Sequence, residues 1–440
     1  MYSIDMFALI DGNNFYVSCE RAFNPRLRGR AVVVLSNNDG CVISRSEEAK
    51  SAGIKMGQPF YQIQADLATK DVTALSANFA LYGDMSTRMM RLAAALGPQQ
   101  EIYSIDESFI GGLEGIAQLT QRALAIRQRI ERCLSIPCCV GIAPSKTLAK
   151  LCNHWAKSAE RRGHHTHPAY QAPVCNWQEL SSAQQQCLLR ETPASEVWGI
   201  GRRLAQRLAV YGCFTASDLM QLPAPSARRI AGVVLERTVR ELQGIPCLTL
   251  ENAPAAKQQI ACTRSFGYAI DDMQPLLEAV STYASRAAEK SRQSGLLACQ
   301  VHVFAYTSPF RNERPWHGAR TIALPQPCND SYAIVEAATR AVHSFYQAGH
   351  KLSKAGVILL DLVPCSQSRN ADLFEDTGQM SRHAQLMPTI DAINQRFGNN
   401  TIHLASNGLP HQDIAGWRMK QARLSPLYTM KYEDLPIAQA

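Results

Sequence analysis

The first feature of the chain is an apolar run, Met6 to Ile10, that ends at Asp11 and is followed at once by Gly12-Asn13-Asn14. That pattern predicts a strand and then a turn. Ala31 to Leu35 is a second β-branched run, followed by Ser36-Asn37-Asn38-Asp39-Gly40 and then Cys41-Val42-Ile43, which reads as a hairpin. Glu47 to Ala52 turns helical and stops at Gly53. Farther on, Glu101 to Ile105 and Phe109 to Leu113 flank Asp106-Glu107-Ser108, Leu119 to Cys133 places apolar residues three and four apart, and Cys138 to Ile142 is again strand-like. Strand, hairpin, helix and strand in that order predict a ferredoxin-like sheet with helices on one face.

Ala172-Pro173 and Thr192-Pro193 bracket a boundary, after which Val197 to Leu242 is rich in helix formers, and the Ala-Pro-Ala-Ala stretch within Asn252 to Lys257 reads as a linker. Gln258 to Val363 mixes strands (Ala298 to Tyr306, Ala355 to Val363) with helices (Leu276 to Ser291, Tyr332 to Gln347), so a second α+β domain is expected; after Pro364 the chain turns polar and irregular. The expected organisation is α+β and multidomain: 1–185 with an insert at about 26–82, then 186–250, 258–365 and a tail 366–440.

Composition narrows the class. With 440 residues, 46% hydrophobic and 19% charged, the chain is an ordinary globular protein with several cores, which excludes a disordered or fibrous one. A net charge of +8 fits a polyanionic partner without naming it. The charge is concentrated between Val197 and Ile245, where seven Arg face only Asp218, Glu236 and Glu241. The amino terminus lacks a signal-peptide pattern and no stretch reaches transmembrane length, so a cytoplasmic protein with no membrane association is expected. Fourteen cysteines without a CxxC pair argue against a zinc ribbon or a disulfide framework, and Gly163-His164-His165-Thr166-His167 reads as a polar loop rather than a metal site.

Candidate chemistry begins with Asp11, which continues the strand face of Phe7 and Leu9. A buried carboxylate there needs a compensating cation; alternatively it caps the turn at Gly12. Asp106 and Glu107 converge on a hard cation only if local geometry reorients one of them, and the other reading is a solvated acidic turn. Taken together, the three acids suggest two-metal phosphoryl transfer. A phosphate clamp would come from the helix after Ser145: Lys146, Lys150 and Lys157 fall within roughly 40° of one another at 100° per residue, opposite Leu148, Leu151 and Trp155. An outward, solvated lysine face is the alternative.

Asp11-Gly12-Asn13-Asn14-Phe15-Tyr16, Tyr103-Ser104-Ile105-Asp106-Glu107 and Val140-Gly141-Ile142-Ala143 with Lys146 and Lys150 resemble the successive palm motifs of Y-family, lesion-tolerant DNA polymerases. Ser36 to Ile43, Glu48-Ala49-Lys50, Gly53 to Gly57, Tyr82 to Ser86, Val197 to Arg203, Val234 to Leu242 and Leu424 to Thr429 resemble the UmuC branch in particular, so the likeness runs nearly end to end.

The resemblance implies a right-hand polymerase with palm, small fingers, helical thumb and α+β little finger, acting in error-prone translesion synthesis during an SOS-type damage response. It implies two Mg2+ ions on Asp11, Asp106 and Glu107, helped by the Gly12 carbonyl, with a deoxynucleoside triphosphate as substrate gripped by Lys50 and Lys157. Glu47 departs from other branches, which place a phosphate-contacting Tyr there. Tyr16 matches the steric gate that excludes a ribose 2′-hydroxyl, beside Phe15, while Cys41 and Ile43 match the roof over the nascent base pair. Gly199, Gly201 and Arg202 lie in a helix-hairpin-helix-like segment, and Arg264 opens the little finger; both would hold the DNA primer-template. Leu373 and Phe374 agree with the end of a clamp-binding motif. Implied partners are a processed UmuD-type dimer, RecA and the sliding clamp. A DinB-like polymerase is the nearest rival, a palm-type nucleotide cyclase or nuclease a more distant one, and a non-catalytic DNA-binding subunit a third.

Overall fold

The site-bearing strand β1 (Phe7–Gly12) lies at the centre of a five-stranded sheet. The computed structural model describes residues 5–161, 173–251, 256–310, 314–367, 377–398, 400–408, 417–430 and 432–435. They fall into two units, Met1–Pro254 with Arg423–Ala440, and Ala255–Ala422.

In the first unit β2 (Ala31–Leu35), β3 (Val42–Arg45) and β4 (Val72–Ser76) form a small sheet in the order β3-β2-β4, with β2 antiparallel to β3 as the hairpin pattern predicts and parallel to β4. Strands β5 (Gln99–Ile102), β6 (Glu107–Gly111), β7 (Cys138–Ala143) and β8 (Val174–Asn176) join β1 in the order β5-β6-β1-β7-β8. Helices cover both faces of this sheet, not one. Ala8 and Ile10 pack with Leu81 and Met89 of the Phe79–Ala93 helix and Ile130 of the Leu119–Leu134 helix; Phe7 and Leu9 pack the other way, with Leu148, Leu151 and Trp155 of the Lys146–Arg161 helix. The cause is visible in β1 itself, whose apolar residues point to both sides and must be covered on both.

The Lys146–Arg161 helix approaches its sheet unusually closely. A Cβ on Gly141 would lie 2.1 Å from the Ala149 carbonyl oxygen and 2.3 Å from the Asn153 nitrogen. Asn153 ties the contact down by donating to the Cys139 carbonyl at 2.8 Å. The helix start is held by buried Glu241 of the Ala224–Leu242 helix, whose carboxylate accepts from the Thr147 N–H at 2.9 Å, where a helix amino terminus favours negative charge. The arginine-rich segment thus forms helices Arg202–Ala209, Ala216–Gln221 and Ala224–Leu242 that share a core with the lysine helix.

The second unit is a four-stranded antiparallel sheet, β9 (Ile260–Ile270), β10 (Leu296–Thr307), β11 (His317–Cys328) and β12 (Leu352–Pro364), ordered β11-β10-β12-β9, with the helices Met273–Gln293 and Ser331–Phe345 packed on it. β11 holds Pro325 and Pro327, which an edge strand tolerates because their missing N–H groups need face no neighbour. The region after Pro364 is less irregular than its composition predicts: Thr377–Phe397 is a helix with Pro388 inside it, clipped by a bidentate Arg292–Asp391 ion pair at 2.7 and 2.8 Å. Residues 366–440 therefore do not form one body, since the chain up to Ala422 packs with the second unit and Arg423–Ala440 with the first. The His164–His167 run lies outside the described residues.

Replacing Gly141 by Ala should force the lysine helix off the sheet, because the blocking atoms are backbone and cannot swing away. The expected cost is at least about 2 kcal/mol in urea unfolding, together with loss of activity. A variant as stable and active as the native chain would show that the close approach is dispensable.

Candidate active site

Register brings the acids together. Asp11 sits directly opposite Glu107 across the antiparallel β1–β6 pair, which places their side chains on one face about 5 Å apart at Cβ. One residue on, the Gly12 N–H donates to the Asp106 carbonyl at 2.9 Å. Asp106 precedes β6 in a tight turn built on Ser104, whose hydroxyl oxygen accepts from the N–H groups of Asp106 (3.2 Å) and Glu107 (3.1 Å) and donates to the Asp106 carboxylate at 2.7 Å. The turn lets the adjacent acids diverge: Asp106 lines an open cavity while Glu107 accepts from Lys150 at 2.7 Å.

Burial and mutual repulsion set the electrostatics. Burial raises the Asp11 carboxyl to about 7 against the opposing pull of Lys157, with Glu107 and Asp106 adding to the rise. Asp106 is also raised, first by burial and then by Glu107, with the Ser104 hydroxyl pulling it back. Like-charged acids in a poorly solvated site need cations. The lysine helix supplies them: Lys157 meets Asp11 at 2.5 Å and Lys146 meets Glu101 at 2.5 Å, while Lys150 lies over the rings of Tyr103 and Trp198 at 4.4 and 5.2 Å. The stripe therefore faces the acids rather than solvent, and Lys146 is only 4% exposed. The donor set is all hard oxygen, which suits a divalent metal such as magnesium. Among the described residues no three acidic, His or Cys side chains yet close into a metal shell, since the lysines and Ser104 hold the carboxylate oxygens.

A cavity of about 430 Å³ opens beside the acids, lined by Gly12, Tyr16, Ile43, Lys50, Asp106 and Lys157 among others. The Tyr16 ring forms part of its wall and stacks on buried Tyr82 at 4.5 Å. Phe15, 2% exposed, reaches the same cavity but belongs mainly to the core. Lys50 donates to Asn14 at 2.8 Å and to Glu47 at 2.6 Å, so the residue that departs from the family pattern is the one orienting Lys50. Ile43 lines the cavity; Cys41 does not, and bridges to Pro59 instead. Arg45 lines the cavity without any signal in the sequence that marks it, while Lys150, expected with Lys146 and Lys157 as a phosphate clamp, lies outside the cavity lining and pairs with Glu107.

Away from the cavity, Gly199 takes a left-handed φ of 87° on an exposed turn, and Gly201 caps the helix that begins at exposed Arg202. Arg264 is exposed on edge strand β9. Leu373 and Phe374 lie outside the described residues.

A family model described as impB/mucB/samB family matches residues 10–154, and its C-terminal-domain counterpart matches residues 257–373. The chain belongs to the impB/mucB/samB family. A third model, described as a domain of unknown function, covers residues 384–438. Protein UmuC of Salmonella typhimurium is 41% identical over 98% of this chain and 99% of its own, and protein MucB of Escherichia coli is 38% identical over 98% and 99%. DNA polymerase IV of Moorella thermoacetica is more distant, at 28% over 90% of this chain and 94% of its own. The fold matches a Y-family DNA polymerase Dbh–Dpo4 chimera with TM-score 0.62 and 19% identity, covering 82% of this chain and 99% of that one. An insertion ternary complex of Dbh DNA polymerase matches with TM-score 0.53 and 18% identity, again over 82% and 99%. The family member is thus UmuC-like rather than DinB-like, a DNA-directed DNA polymerase that uses divalent metal and nucleotide substrates. Among the described residues no helix is long and apolar enough to cross a membrane.

The raised Asp11 carboxyl predicts a pH signature in metal-free protein. Between its ordinary value and about 7 the folded chain binds a proton that the unfolded chain has released, so this group makes stability fall as pH rises through that window. The stability difference between Asp11→Asn and the native chain should shift in the variant's favour as pH rises from about 4 to about 7, whatever its absolute offset, in urea unfolding with chelator. A pH-independent difference would contradict the assignment.

Proposed function

We propose that this family member performs error-prone translesion DNA synthesis with Asp11, Asp106 and Glu107 as ligands for two magnesium ions, the Gly12 carbonyl assisting. When bound, the ions would acidify the primer 3′-hydroxyl and neutralise charge on the reacting α-phosphate. What carries the reading is the direct Asp11–Glu107 pairing beside Asp106 at the mouth of a cavity that also presents Lys50 and Lys157.

The chain's own residues then divide the work. Lys50 and Lys157 turn from Glu47 and Asp11 to the incoming triphosphate, whose charge they neutralise. Tyr16, backed by Tyr82, fills the space a ribose 2′-hydroxyl would need. Ile43 roofs the base pair through a small insert, with Cys41 contributing to the insert through its bridge to Pro59, leaving room for a damaged template and little geometric checking. In domain terms, residues 1–185 serve as palm with fingers at about 26–82, 186–250 as thumb and 258–365 as little finger, while of the tail 366–440 the part up to Ala422 would carry partner binding and Arg423–Ala440 belongs with the first unit. Gly199, Gly201 and Arg202 of the thumb and Arg264 of the little finger contact primer-template phosphates without reading sequence. A cytoplasmic setting and a processed UmuD-type dimer, RecA and a clamp held through Leu373 and Phe374 complete the proposal.

The test is primer extension past an abasic site with magnesium, with and without those partners. Asp106→Asn should lower insertion about a thousandfold or more while primer-template binding, read by fluorescence anisotropy, changes little. Equal extension by the variant would remove the mechanism.

A further inference from the structure

The carboxyl-terminal stretch matched by the model of unknown function has no assigned role, yet its end is built into the catalytic unit. The Ser76 N–H at the edge of β4 donates to the Arg423 carbonyl at 3.0 Å, and the Arg423 N–H donates to the Ser76 hydroxyl at 3.0 Å. Ser76 also donates to Asp39, in the loop leading to β3, at 2.5 Å. Asn78 donates to the Ser425 hydroxyl at 3.0 Å and to the Pro426 carbonyl at 3.1 Å. Tyr428 stacks on Phe23 at 4.9 Å.

The deepest contact lies behind the cavity. Glu20 is 1% exposed, and one of its carboxylate oxygens accepts from the Tyr82 hydroxyl at 2.7 Å and from the Ser425 hydroxyl at 3.1 Å. Burial pushes the Glu20 carboxyl up and the two hydroxyl donors pull it back. The ring that Tyr82 presents on its other side is the one stacked under Tyr16.

We propose that Ser425 is a positioning residue for sugar selection: the docked carboxyl-terminal segment fixes Glu20, Glu20 fixes Tyr82, and Tyr82 holds the Tyr16 ring at the height that excludes a 2′-hydroxyl. The inference rests on the reading of Tyr16 as the sugar gate. It gives the segment after Arg423 a part in substrate choice rather than in partner binding alone. A segment that merely stabilised the fold would change both nucleotide types equally. One that sets ring height changes their ratio.

The experiment measures single-nucleotide insertion of a deoxynucleotide and of the matching ribonucleotide by the full chain with its partners, as the ratio of kcat/KM values. Ser425→Ala should reduce discrimination about tenfold, the effect of one lost hydrogen bond to a charged group, and Ser425→Thr should restore it. Tyr82→Phe cuts the same link from the other side and should shift the ratio in the same direction should Ser425→Ala fold poorly, while Tyr16→Ala marks the largest loss attainable. An unchanged ratio in folded Ser425→Ala or Tyr82→Phe, or a parallel fall for both nucleotides, overturns the inference. Unchanged discrimination in Tyr16→Ala would instead overturn the gate assignment beneath it, and the inference with it.

Discussion

The site depends on one register constraint: Asp11 must lie opposite Glu107. A slip of one residue would turn Asp11 to the opposite face, toward the core of Ile10 and Met89, and leave Glu107 without its neighbour. β1 resists that slip because it is paired on both edges and buried on both faces, and each apolar residue would have to change sides. The close packing at Gly141 adds a second constraint by setting the height of the lysine helix above the acids. Breaking the partly buried Asp11–Lys157 pair by removing one partner would strand a charge, which typically costs about 3–5 kcal/mol. Site and fold are therefore held by the same contacts.

The pairing of acids with lysines offsets the mutual repulsion of the carboxylates within the chain itself. Lys157 and Lys150 compensate Asp11 and Glu107 within the chain. Of the two, Lys157 lines the cavity together with Lys50, so on the proposed reading an incoming triphosphate would exchange their present ion pairs for its own with little change in net charge.

Much of this was legible in the sequence because it follows from short periodicities. The β1 strand and its Asp11 face, the β2–β3 hairpin, the Leu119–Leu134 helix and the β10 and β12 strands of the second unit all follow from alternation or three-to-four spacing, whereas β9 was not legible in this way. Other features depend on contacts far apart in the chain. Helices on both faces follow from two-sided burial of β1, which an apolar run alone does not reveal. β11 was hidden by Pro325 and Pro327, which only an edge position excuses. The lysine stripe was readable as a stripe, but its turn toward Glu101, Glu107 and Asp11 needed the helix-to-sheet distance that Gly141 sets. Ser425 carried no local signal at all, because its partners Glu20 and Asn78 lie at the other end of the chain.

The central claim is that three acids on β1 and the turn into β6 bind the catalytic cations. Manganese binding counted by electron paramagnetic resonance, with primer-template and a non-hydrolysable deoxynucleoside triphosphate present, tests it most directly. Two ions per chain are predicted in the native protein, with loss of at least one in Glu107→Gln. A count that the variant leaves unchanged, or no protein-dependent binding at all, would contradict the account.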